Sequence, residues 1–236
     1  MTISLASDSN ELAHDLYGHI SEMWVIDSHE HLSTEAARLA MPVDAVSLFE
    51  NYPRFDLMVA GMSEAEYATM IDRELPVEAR WPVFNTYYPL IRNTSFTRTT
   101  LLGVRELYGF TDVTGGNYQM LSQAMQAANK PGIFRHAFHD LGRILVALNQ
   151  TYVKVWAGLP ESGSFCIPQM WEAQFNVAVR AESLQDMEVD LGRSIHSFDA
   201  YLEGLAEMLH LYSSKGVVGI KLEKPTIQSS PQRSDV

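Results

Sequence analysis

The sequence predicts an α/β fold in which parallel βα units are interrupted, after the first strand, by a long helical insertion. Three observations carry this expectation. A short apolar run, Trp24-Val25-Ile26, leads directly into the polar cluster Asp27-Ser28-His29-Glu30-His31, the pattern of a buried parallel strand with its polar residues at the C-terminal end. Residues 33–142 then show mostly helical periodicity, punctuated by helix stops. Beyond residue 142 a strand–helix–strand order resumes and runs to Lys221.

Each element follows from local pattern. Residues 10–23 can form a helix with Leu12, Leu16, Tyr17 and Ile20 on one side. Residues 23–32 hold the first strand. Ser63-Glu64-Ala65-Glu66 is a capping-box candidate ahead of Tyr67, Met70 and Ile71. Pro76 and Pro82 are expected to bracket a turn before a helix containing Tyr87, Tyr88, Leu90 and Ile91. A short helix is expected over 99–107, closed at Gly109, and an amphipathic one over 118–129, stopped by Lys130-Pro131-Gly132. Strands are expected at 143–148, 174–179 and 217–222, with a helix over 197–213 between the last two. The polar tail 224–236 is expected to be disordered. The expected organisation is thus 1–32 for the N-terminal helix and first strand, 33–142 for the insertion, 143–223 for further βα units, then the tail.

Composition narrows the function classes. The formal charge of −12 argues against nucleic acid or an anionic membrane as partner, because both reward Lys and Arg. A small-molecule substrate remains compatible. Cys166 is the only cysteine, so no intrachain disulfide can form, which fits a reducing compartment. The N-terminus lacks a basic region followed by an apolar one, and a cytoplasmic location is expected.

The chemistry concentrates at His29 and His31. Alternate strand residues point to the same side, so both imidazoles can face one point and ligate a divalent metal, zinc above all. The plainer alternative is two polar residues in a surface loop. Asp27 is a candidate to orient an imidazole or to cap the following turn. His136 and His139, an i, i+3 pair, can share a helix face, although their place at a helix C-terminus accounts for them without a metal. Trp24, Trp81, Trp156 and Trp171 read as packing residues. Cys166 lacks the local basic cluster a nucleophilic thiol needs.

Val25-Ile-Asp-Ser-His-Glu-His-Leu32 resembles the first-strand motif of the amidohydrolase superfamily. The segments Trp81-Pro-Val-Phe-Asn-Thr-Tyr87, Arg92-Asn-Thr-Ser-Phe-Thr-Arg98 and Gly103-Val-Arg-Glu-Leu-Tyr-Gly109 resemble the helical insert of its amidohydrolase-related and uronate-isomerase-like branch. The resemblance implies a distorted (β/α)₈ TIM barrel with its metal at the C-terminal ends of the strands. It implies a metal-dependent hydrolase in which a metal-activated water attacks a small carbonyl, amide, lactone or organic-acid substrate. Isomerase or decarboxylase chemistry also occurs on that scaffold. It makes Lys221, near the end of the last apolar strand, a metal ligand when carboxylated or else a substrate contact; a free ammonium has no lone pair to offer a metal. The other reading of Lys221 is a lysine whose head reaches water. Arg92, Arg98 and Arg105 become candidate carboxylate-binding residues of the insert.

The same resemblance exposes a shortfall. A complete barrel takes about 250 residues before insertions, and only four strand candidates are present. The expectation is therefore a partial barrel of about its first four strands. Either a second chain or a further copy completes it, or the chain is a non-catalytic interaction subunit with a vestigial metal site.

Overall fold

A computed structural model describes residues 5–151, 166–171, 181–214 and 216–221. The β-branched start of the first strand takes up the expected extended backbone, and β1 covers Val25–Glu30. It follows helix α1, Leu5–Glu22. β1 pairs in parallel with β2, Ile144–Thr151, which begins one residue later and runs three residues further than its apolar pattern suggests. β2 pairs with β3, Cys166–Trp171, and β3 with β4, Gly219–Lys221, both in parallel. The four-stranded order is β1-β2-β3-β4. The fold is mixed α/β. The expected strand at 174–179 and the tail 224–236 lie outside the described residues.

β3 was not expected, because Pro168 sits in its middle and proline cannot donate to a ladder. Parallel neighbours need crossover connections, and between β3 and β4 these include α8, Ala181–Leu191, and α9, Phe198–Ser214. The two helices close over Met187, Ile195, Met208 and Tyr212. At Gly204 the ends of the Met187 and Leu191 side chains fill the space a Cβ would take, at 2.6 Å (Cε) and 2.9 Å (Cδ1) from its place.

The chain divides into two compact units, Met1–Leu32 with Arg143–Val236, and Ser33–Gly142. The second unit is helical: α2 Glu35–Ala40, α3 Pro53–Val59, α4 Glu64–Ile71, α5 Val77–Ile91, α6 Ser95–Tyr108 and α7 Tyr118–Ala128. Ser63 and Glu66 form the full capping box of α4. Gly109 closes α6 in the left-handed region, at φ 76°, where a side chain would be strained. Pro82 does not end a turn. It lies inside α5, and Thr86 Oγ1 donates back to its carbonyl at 3.0 Å. The core contains Phe49, Leu57, Met70, Phe84, Ile91 and Leu121, all fully buried.

One ion pair is buried in this unit, Arg80 with Asp44. Arg80, 2% exposed, pairs with Asp44 and donates to the carbonyls of Leu75 (3.1 Å) and Met70 (3.2 Å). Asp44 in turn accepts from the Val46 and Ser47 amides, each at 3.0 Å. A buried ion pair persists only when its remaining donors and acceptors are satisfied in this way. Among the described residues no helix is long and apolar enough to cross a membrane.

Candidate metal centre

β1 is bulged, and the bulge decides which way the histidines face. Asp27 aligns with Ala147 and Glu30 with Asn149, so three steps along β1 match two along β2. A one-residue slip exchanges the two faces of a strand. Beyond it, His29 and His31 share the face of Leu148 and Gln150. The register continues across the sheet from Gln150 to Gln169 to Gly219, and Lys221 lies two residues past Gly219 on that same face. Without the bulge both histidines would point to the opposite side.

The three residues meet. His29 Nε2 and His31 Nε2 are 2.7 Å apart, and Lys221 Nζ lies 2.6 Å from His29 Nδ1 and 3.2 Å from its Nε2. The rings stand edge to face, 4.7 Å between centroids. This contact says something about the sheet. β1 and β4 are its outer strands, and three spacings of ~4.8 Å would hold them about 14 Å apart in a flat sheet. Side chains stand roughly perpendicular to a sheet. The sheet must therefore curl, with His29, His31 and Lys221 on its concave face.

The other face of β1 carries a carboxyl pair. Asp27 and Glu30 are brought together by the bulge, and Asp27 Oδ1 also accepts from the His29 amide at 3.0 Å. Burial, then the hydrogen bond and negative charge of Asp27, push Glu30 up to about 7. Asp27 thus acts as a turn cap and a carboxyl partner. On the concave face, burial and then the positive fields of His29 and Lys221 hold His31 below the usual histidine range.

The donor set fits a divalent ion in part. Two imidazole nitrogens converge, Nε2 to Nε2 at 2.7 Å. Among the described residues no three His, Cys, Asp or Glu side chains gather closely enough to hold a metal; Lys221 stands beside the two rings, and a lysine can ligate only in a carboxylated or neutral form.

Asn149 escaped the sequence reading because the apolar pattern of β2 was taken to end at Leu148. It is buried, and its side-chain amide takes both backbone groups of Leu32. Leu32 N–H donates to Oδ1 at 2.7 Å, and Nδ2 donates to Leu32 O at 2.9 Å. A polar residue just past the apolar run of β2, matching the His-x-His end of β1, was the available signal.

The arginines singled out in the sequence lie in the other unit. Arg92 Nη2 pairs with Asp112 Oδ2 at 2.6 Å and Arg105 Nη2 with Glu106 Oε1 at 2.7 Å. Arg98 is exposed and its side chain has no ion pair among the described residues. His136 and His139 sit in a widened, π-type helical turn, Arg135–Leu141, and both approach Asp140, at 3.8 and 3.1 Å. The hydrogen bond from His139 comes first in holding Asp140 below the usual carboxylate range. Compared with known proteins, the chain matches no family model and no curated protein.

Proposed function

We propose that this chain carries part of the active site of a metal-dependent hydrolase of the amidohydrolase type, acting on a small carbonyl, amide, lactone or organic-acid substrate. The observation that carries the reading is the meeting of His29, His31 and Lys221 at the C-terminal ends of parallel strands. In this reading the four curled strands are the first part of a (β/α)₈ barrel, with Ser33–Gly142 inserted after β1.

His29 and His31 would hold the ion, zinc for preference, with Lys221 beside them as a third ligand once carboxylated. When bound, a divalent ion supplies Lewis acidity, polarising a carbonyl or lowering the pKa of a water toward neutral. The chain's own part is to present two imidazoles on one face of the sheet, and to keep Lys221 Nζ 2.6 Å from His29 Nδ1. Of the insert arginines read as carboxylate-binding candidates, Arg92 and Arg105 already have their charges paired, with Asp112 and Glu106.

A second chain or a second copy would supply further ligands. The apolar surface of the sheet unit supports this: Val25 and Ile26 are 46% and 67% exposed, and Leu12, Leu16, Tyr17 and Ile20 are all exposed along α1. The same surface favours, as a second reading, an interaction subunit whose metal site no longer turns over substrate. Metal analysis of the purified chain tests the site. Near-stoichiometric zinc is expected in the wild type and little in His29→Ala plus His31→Ala. Equal metal content in both would remove the assignment, while metal without hydrolysis of any ester, lactone or amide probe would favour the second reading.

A further inference from the structure

We infer that Asn149 is the positioning residue of the candidate metal centre: it sets where His31 stands. The inference rests on the metal reading proposed above. β1 ends its ladder at Glu30, which aligns with Asn149. His31 therefore lies one residue beyond the ladder, where its amide donates to the Glu30 carboxyl. Its position nevertheless has to be held, because its ring nitrogen must stay beside that of His29.

Asn149 supplies the missing pairing. Its amide presents an acceptor to Leu32 N–H and a donor to Leu32 C=O, at 2.7 and 2.9 Å, the same two bonds a neighbouring strand would make. Asn149 is 5% exposed, so the bonds are shielded from competing water and the amide has few other places to go. The clamp grips the residue directly after His31, while the bulge fixes the residues before it. His31 is thus pinned from both sides, and Asn149 does this from the face opposite the ligands without touching a metal.

Asparagine suits this place and its near relatives do not. Aspartate keeps the acceptor for Leu32 N–H and loses the donor to Leu32 C=O. Alanine loses both and leaves two backbone groups unpaired. Residues that orient a ligand from behind change metal affinity by about 10–100-fold when removed.

The test uses the full chain with Co(II) as an absorbing probe, and metal-free protein alongside. Asn149→Ala is expected to bind Co(II) about 10–100-fold more weakly than wild type with altered visible bands, with Asn149→Asp between them. The far-ultraviolet circular dichroism should be the same in all three. In the metal-free protein the His29–His31 ring contact, read by nuclear Overhauser effects, should weaken in Asn149→Ala, and the Leu32 amide should lose protection from exchange. Asn149→Ala with wild-type affinity and wild-type bands would overturn the inference and leave the metal reading standing. A wild-type chain that takes up no Co(II) would overturn the metal reading. The metal-free contact would then decide alone: lost in the variant, it supports Asn149 as the positioning residue, and kept, it refutes it.

Discussion

The two units of this chain spend their apolar residues differently. The helical unit turns them inward: Phe49, Phe84 and Tyr88 pack ring on ring, with centroids 4.6–5.6 Å apart, over fully buried Leu57, Met70 and Leu121. The sheet unit buries a smaller set, Met187, Ile195, Met208 and Tyr212, and leaves many apolar residues outside, at the start of β1 and along α1. The sheet unit also brings His29, His31 and Lys221 together. One region closes its own core, and the other keeps these side chains in register while much of its apolar surface stays open. Mutations in the helical core and in the proposed site should therefore act on different properties.

The largest expected effect breaks the comparison most sharply. Phe84→Ala removes a ring with no solvent exposure and should cost about 3–5 kcal/mol. Ile26→Ala, at an exposed position of β1, should cost within about 0.5 kcal/mol. Urea melts of the two variants decide it, and equal losses would mean that β1 is as buried as the helical core.

Deletion of Ser28 probes the other side of the comparison. It removes the extra residue of β1 and leaves His29 aligned with Leu148 and His31 with Gln150, the face they already share with Lys221. Metal uptake should be kept, and the helical circular dichroism signal should stay the same. Lost uptake would mean that the facing of the ligands does not follow from this register.

Smaller effects sharpen the picture of the helical unit. Ser63→Ala breaks the capping box of α4 and should cost about 0.5–2 kcal/mol by thermal melt. Asp112 ties α5 to the segment after α6. Burial alone would raise its pKa, but hydrogen bonds from Tyr88 (2.5 Å) and the Val113 amide, with the Arg92 charge, outweigh this and hold it below the usual carboxylate range. Its folded pKa lies under its unfolded one. The stability it contributes is present above the unfolded value and is lost as pH falls through the folded one. Stability of Asp112→Asn should consequently fall less steeply on acidification than that of the wild type.

Much of this architecture was legible residue by residue. The apolar-to-polar run of β1, the Ser63–Glu66 box and the periodicity of α9 are short-range signals, and the structure contains all three elements. β3 was hidden because Pro168 argues locally against a strand, whereas its place between two paired neighbours overrides that preference. Pro82 misled in the same way, since a helix packed along Trp81, Phe84 and Tyr88 tolerates an internal proline that an isolated segment would not. For the candidate site, His29, His31 and Lys221 could be picked out singly. Their meeting could not, because it depends on a one-residue bulge and on the curl of a sheet whose outer strands lie 192 residues apart in the chain. Asn149 was missed for a related reason: its role lies in a bond to backbone, which leaves no side-chain partner to find in the sequence.

X-ray absorption at the zinc edge of the zinc-loaded chain is the most direct measurement. Two imidazole nitrogens at about 2.0–2.1 Å, with the outer-shell scattering of their rings, are expected, and both should vanish in His29→Ala plus His31→Ala. A first shell without imidazole scattering, or one unchanged in that variant, would contradict a metal site at His29 and His31.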